Sequence, residues 1–153
     1  MLLDAWDAYV AAKNIQSEDV LAAADHLLSA RSLLATIPTD TTAEGLDRDA
    51  AGLSRLVESR IDDLANSASR GFRLLAEEEF DNEQYETALV PYLKAWQIKP
   101  DAYGGGVAYY CGRCYQLLGD YEAAKPFYEY VVDTFAGRDI ARSAAGRLAE
   151  MAP

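Results

Sequence analysis

Hydrophobic residues recur at steps of three and four over most of the chain, which is the spacing of one face of an α-helix. The pattern predicts a first helix over about residues 2–13 and a second helix from Ser17 to about residue 36. Ser17 is expected to cap the second helix, and Pro38 prevents its continuation. Together the two helices predict an antiparallel hairpin, which resembles a degenerate copy of the repeats described below.

The segment from Thr42 to about Phe80 predicts one long helix. It contains no proline, and its apolar residues follow steps of four and three, close to an eleven-residue repeat. Gly71, which lies among small polar residues, is the place where a bend is expected. A coiled-coil seam between copies of the chain is the competing interpretation. The eleven-residue pattern and Gly52 favour packing within one chain.

The last part of the chain contains a sequence repeat. Tyr121, Ala124 and Tyr128 follow Tyr85, Ala88 and Tyr92 by 36 residues, a period typical of helical repeat proteins. Helices are predicted over 84–98, 107–118, 121–135 and 140–151. Because no alternating pattern of a strand occurs anywhere, the sequence predicts an all-α protein. Ala88 and Ala124 are expected to be almost fully buried where helices cross.

These residues resemble the tetratricopeptide repeat family. Gly112 and Tyr115 match its first helix, Gly119-Asp120-Tyr121 its turn, and Ala124 and Tyr128 its second helix; Gly146 repeats Gly112 after 34 residues. The resemblance implies a right-handed superhelix of antiparallel helix pairs, with about seven helices. Residues 1–68 are expected to form the N-terminal hairpin and the start of the long helix, and 69–151 two repeat units with a C-terminal capping helix. Pro91 and Pro126 depart from the family pattern and predict kinks.

The family resemblance also implies a binding surface and a function. In tetratricopeptide repeats the inner face of each first helix binds a peptide, so this chain is expected to be a non-enzymatic scaffold. Its arginines would select an acidic or C-terminal-carboxylate segment. The alternative is that these arginines only neutralise acids such as Glu77 and Glu150. The family's inner-face positions correspond here to Arg70, Arg73, Glu77, Tyr109, Arg113, Gln116, Leu117, Ser143 and Arg147.

The end of the chain is similar to bacterial envelope-associated repeat proteins, such as the periplasmic coordinator that works with Tol and Pal. Phe135-Ala-Gly-Arg-Asp139 and the helix after it carry this likeness. It suggests a second function, a homo-oligomeric assembly module in which the long or the terminal helix pairs with another copy. A monomer or a weak homo-oligomer is expected. The absence of a secretory signal favours the cytoplasm, although a soluble domain of an exported protein would have the same sequence.

Charge and hydropathy exclude two classes of partner. The formal net charge is −11, with 25 acidic and 14 basic side chains, which opposes binding to nucleic acid and to anionic lipid. No apolar stretch approaches the length of a membrane span, so direct membrane insertion is not expected. Residues 69–153 hold most of the basic side chains.

Candidate catalytic motifs have simpler structural interpretations. Cys111-Gly-Arg-Cys114 has the spacing of a redox or zinc motif, but it lies in mid-helix and His26 is the single histidine. We therefore expect two ordinary core cysteines and a structural histidine. Gly104-Gly-Gly106 follows no strand and is expected to be a flexible connector, and the acidic run from Glu77 to Asp81 a solvated face. No catalytic residue, metal or cofactor is predicted.

Overall fold

The computed structural model describes residues 1–16 and 18–153, and its regular secondary structure is entirely helical there. The prediction of an all-α protein is confirmed. Over this range there are seven α-helices, and one short 3₁₀ helix (Ala102–Gly105) precedes α5. The α-helices are α1 (Leu2–Ile15), α2 (Val20–Leu34), α3 (Ala50–Asp81), α4 (Tyr85–Ile98), α5 (Gly106–Leu117), α6 (Tyr121–Thr134) and α7 (Asp139–Met151).

The first structural unit, Met1–Ala68, contains α1, α2 and the first part of α3. Small side chains are buried on both α1 and α2, which lets the two helices pack closely. Asp19 caps α2, since its Oδ1 accepts hydrogen bonds from the N–H groups of Leu21 at 3.1 Å and Ala22 at 3.0 Å. The predicted cap, Ser17, lies outside the described residues.

The long helix α3 begins eight residues later than predicted. Residues 42–49 are not helical, and Gly45 has a φ of +87°, a conformation that favours glycine. The N–H of Ala50 donates instead to the carbonyl of Thr41 at 2.9 Å, and Asp49 accepts from the N–H of Gly52 at 2.8 Å. The cap at Asp49 therefore sets the start, and the prediction of a helix from Thr42 was wrong. From Ala50 the helix runs unbroken through Gly71 over 32 residues, about 48 Å at 1.5 Å per residue.

The second structural unit, Ser69–Pro153, contains the rest of α3 and the helices α4 to α7. Consecutive helices pack on one another, α4 on α5, α5 on α6 and α6 on α7. Ala88 and Ala124 are both fully buried, which confirms the prediction of their burial. One buried cluster joins α5, α6 and α7 through Ala108, Tyr128, Val131, Phe135 and Ala144.

Two glycines of the second unit are close contact points. A Cβ on Gly112 would lie 2.8 Å from the ring of Tyr128, and one on Gly105 would lie 2.8 Å from the ring of Phe135. Gly105 also has a φ of +90° and is buried. In the glycine run, Gly105 and Gly106 are thus buried at the start of α5, whereas Gly104 is exposed with open space around it. The packing of the last two glycines differs from the flexible connector that the sequence suggested.

Candidate functional site

The nine candidate groove residues all belong to the second unit and lie on three helices. Two of these helices, α3 and α5, are the first helices of the predicted repeats, and α7 is the predicted capping helix. Corresponding positions carry Arg73, Tyr109 and Ser143, and, one turn later, Glu77, Arg113 and Arg147.

A polar network joins α5, α6 and α7. The Nε–H of Arg147 donates to Tyr109 Oη at 3.2 Å, and its Nη1 bonds both carboxylate oxygens of Glu150 at 3.0 and 3.1 Å. Gln116 connects the other members: its Nε2 donates to Glu150 at 3.1 Å, while its Oε1 accepts from Arg113 at 3.1 Å and Tyr128 at 2.8 Å. Four predicted groove residues, Tyr109, Arg113, Gln116 and Arg147, are therefore brought together.

The end of α3 supplies a second polar cluster. Arg73 Nη1 lies 2.5 Å from Glu77 Oε1, one helical turn away, and the guanidinium lies 3.9 Å from the ring centroid of Tyr103. The side chain of Arg73 is only 15% exposed, so this ion pair and the aromatic contact hold it in place. Arg70 and Leu117 are exposed to solvent.

Aromatic rings lie between the two polar clusters. Tyr110 stacks on Tyr92 with centroids 5.5 Å apart and an interplanar angle of 8°, and it meets Phe80 edge-on at 5.1 Å. Tyr109 contacts both Tyr110 at 5.5 Å and Tyr128 at 5.7 Å. A continuous series of rings therefore connects α3 and α4 to α5 and α6.

Three members of this surface were missing from the predicted site residues. Tyr103 was not predicted as a site residue because it precedes the glycine run. Its φ of +58° turns the chain at this point. Tyr110 follows the predicted groove residue Tyr109 but is not at a position that the family pattern assigns to the inner face. Glu150 was considered as a neutralising acid and not as part of the surface. The spacing of the repeats could have identified Glu150 as a site residue. Glu150 follows the predicted groove residue Gln116 by 34 residues, and Gly146 follows Gly112 by the same number.

The contacts keep the network charged at neutral pH. Hydrogen bonds to Tyr109 and then to Glu150 raise the pKa of Arg147. Hydrogen bonds from Arg147 and then Gln116 lower the pKa of the Glu150 carboxyl. Burial raises the pKa of Tyr110, and the neighbouring Tyr109 and Glu77 add to this. Arg147 and Glu150 are therefore both charged at neutral pH, and the phenol of Tyr110 is neutral.

The neutralisation alternative applies to two of the three central arginines. Arg73 and Arg147 each hold a carboxylate, Glu77 and Glu150 respectively. Arg113 differs in its hydrogen bond, which goes to the neutral amide of Gln116, while its charge also helps to lower the pKa of the Glu150 carboxyl. A guanidinium has five N–H donors, so Arg113 retains donors for a ligand.

The two cysteines are buried, and the pKa values of their thiols are raised. Both thiols are fully buried on α5, as predicted for core cysteines. Burial raises the pKa of Cys111 well above its ordinary value and that of Cys114 to about 12. Because the thiolate is the reactive form, neither side chain is a nucleophile at physiological pH.

Other candidate chemistry has no support in the geometry. His26 is exposed on α2 in the first unit. Across residues 1–16 and 18–153, no three His, Cys, Asp or Glu side chains are grouped so that they could hold a metal ion. No helix in the described part of the chain is both long and apolar enough to span a bilayer.

Comparisons of the chain with protein-family models, with curated proteins and with solved structures found no match. The resemblance to tetratricopeptide repeats therefore rests on the residue pattern alone.

Proposed function

We propose that the second unit is a tetratricopeptide-like array of helix pairs and that the protein is a non-enzymatic scaffold. In this proposal a peptide segment binds in a groove along the inner face of α3, α5 and α7. The observations that carry the proposal are two clusters in which arginine and tyrosine side chains meet: Arg73 lies on the ring of Tyr103, and Arg147 bonds Tyr109, whose ring contacts Tyr110. Tyrosine and arginine are the residue types that most often dominate protein interfaces.

Preorganisation supports binding at this surface. Arg73 and Arg147 are each held by an ion pair and by a tyrosine. Side chains that are already ordered lose little entropy when a ligand docks, which saves about 0.5–1.5 kcal/mol for each long side chain. A peptide would therefore meet a surface that needs little rearrangement.

The proposed ligand chemistry is a carboxylate, from an acidic side chain or from a chain terminus. Arg113 is the group most suited to it, because its hydrogen-bond partner is a neutral amide, whereas Arg73 and Arg147 each already hold an acid. Arginine binds carboxylates in a bidentate geometry. Tyr109 and Tyr110 provide aromatic surface for the neighbouring ligand residues.

The test is affinity capture with Arg70→Glu/Arg113→Glu beside the wild type. These two positions are chosen because Arg147 holds Tyr109 and Glu150, so its replacement would also loosen α7. Capture of a specific partner by the wild type and its loss in the variant are the expected results. A matched control is Arg138→Glu/Arg142→Glu, which changes the net charge equally at exposed positions.

The control should capture the partner as well as the wild type does. Equal capture by all three proteins would contradict the groove proposal. Synthetic segments of the captured partner, made with a free or an amidated C-terminus, would then distinguish a terminal carboxylate from an acidic side chain.

A further inference from the structure

An open groove lies between α6 and α7, and none of the predicted peptide-groove residues lines it. Its volume is about 390 Å³, and Tyr121, Leu148 and Met151 provide its apolar lining. Tyr121 is 51% exposed although it is a large aromatic residue. Glu122, Lys125 and Glu129 form the charged rim.

The chain itself shows how such a groove is covered. The surface of α4 and α5 is covered by α6, because Phe127 and Tyr130 pack on Trp96 with ring centroids at 5.2 and 4.7 Å. Phe127 also stacks on Tyr115 at 5.8 Å. Among the described residues, no helix covers the corresponding surface of α6 and α7.

The two repeat-related glycines show the same difference. Gly112 lies under the ring of Tyr128, whereas a Cβ on Gly146 would have no atom within 4 Å. The face of α7 that corresponds to the α6-covered face of α5 is thus open. Exposed apolar surface of this kind is typical of interaction sites.

We infer that this groove is a two-fold interface with a second copy of the chain. The charges of the rim point to that occupant. Lys125 and Glu129 lie one turn apart on α6 and form an ion pair, with Lys125 Nζ 3.7 Å from Glu129 Oε1. Their side chains are 64% and 51% exposed. When two copies of α6 pack antiparallel about an axis midway between these positions, each Lys125 faces Glu129 of the other copy, so two unlike pairs form.

A partner whose charges all have one sign would instead be expected to bind a rim whose charges all have the opposite sign. Within this rim, Lys125 and Glu129 carry opposite signs in an order that is complementary to itself under a two-fold rotation. Each copy has a net charge of −11, which opposes association at long range, so local unlike pairs are needed to set the register. Tyr121, Leu148 and Met151 would supply the apolar contact. This inference is independent of the proposed peptide groove.

Charge reversal gives a sharp test. The mass of the protein is measured by light scattering and sedimentation over a wide range of concentration at physiological salt. The wild type is expected to dimerise with rising concentration. Lys125→Glu and Glu129→Lys should each raise the dimer Kd about tenfold or more, because each places like charges opposite each other twice. The double variant Lys125→Glu/Glu129→Lys should restore dimerisation, because it re-forms both unlike pairs in the opposite order.

Two further variants complete the experiment. Arg142→Glu reverses an exposed charge on α7 outside the groove and should leave the Kd unchanged, whereas Met151→Asp should weaken the dimer. Helical circular dichroism checks that each variant is folded. A wild type that stays monomeric at every concentration overturns the inference and leaves the groove to another chain. A dimer whose Kd is insensitive to both single reversals overturns it as well.

Discussion

Single side chains decide how closely the helices of the second unit approach. Tyr92 and Tyr128 occupy corresponding positions 36 residues apart, and both are buried. Their hydroxyl groups differ. Tyr128 donates to Gln116 at 2.8 Å, while the hydroxyl of Tyr92 has no hydrogen-bond partner among the described residues. The position that corresponds to Gln116 is occupied by Phe80, whose ring packs edge-on against Tyr92 but has no acceptor.

This difference predicts opposite effects of the same substitution. Tyr128→Phe should lower the free energy of unfolding by about 1 kcal/mol, because it removes a satisfied hydrogen bond. Tyr92→Phe should be neutral or stabilising by up to about 1 kcal/mol, because it removes a buried hydroxyl that is unpaired. Urea denaturation of the two variants measures both values. A clear loss of stability in Tyr92→Phe would contradict the assignment of its hydroxyl as unpaired.

The two repeat-related glycines predict a second contrast. Gly112→Ala places a methyl group 2.8 Å from the buried ring of Tyr128, which is held by its bond to Gln116, so a net loss of about 1–2 kcal/mol is expected. Gly146→Ala meets no atom and should gain about 0.5–1 kcal/mol from helix propensity. Thermal unfolding of both variants gives the comparison, and equal shifts in Tm would show that the Gly112 contact is not close.

Among the helices, capping decides where α3 begins. Periodicity alone extended this helix back to Thr42, because Leu46 continues the apolar pattern. The chain instead turns at Gly45 and starts the helix after Asp49. Local caps and turns compete with periodicity over such short distances, so helix ends are less predictable from sequence than helix centres.

The cap at Asp49 carries its own prediction. Asp49→Ala should cost about 1 kcal/mol, because the N–H of Gly52 loses its acceptor, while Asp49→Asn should retain most of the stability. Asp40→Ala, at an exposed position in the preceding segment, is the control and should be nearly neutral. Chemical denaturation distinguishes these variants. An Asp49→Ala protein as stable as the control would show that another group sets the start of α3.

In the whole molecule, each of the two structural units has its own buried residues. In the second unit, buried side chains of α5, α6 and α7 form one cluster, and Ala88, Tyr92 and Ala95 are buried on α4. The first unit buries small residues and leucines of its helices. A unit with its own core has the main requirement for independent folding.

We therefore predict that residues 69–153 fold as a separate fragment. The fragment should show a helical circular-dichroism spectrum and one cooperative unfolding transition, with a free energy of unfolding of at least about 4 kcal/mol by the usual stability per residue. Gly112→Ala should lower the stability of the fragment and of the full chain by the same amount. A fragment that unfolds without cooperativity would show that the second core depends on the first unit.

The amino-acid sequence by itself determined the helical class, the approximate helix centres and the burial of Ala88, Ala124 and the cysteine pair. These properties follow from spacing along one helix and from the small size of the side chains, so they are local. The tertiary structure decided that Arg147 bonds Tyr109, that Arg73 lies on Tyr103, and that the hydroxyl of Tyr92 has no hydrogen-bond partner among the described residues. Each of these depends on side chains from distant segments meeting at a particular distance and angle, which helical periodicity does not specify.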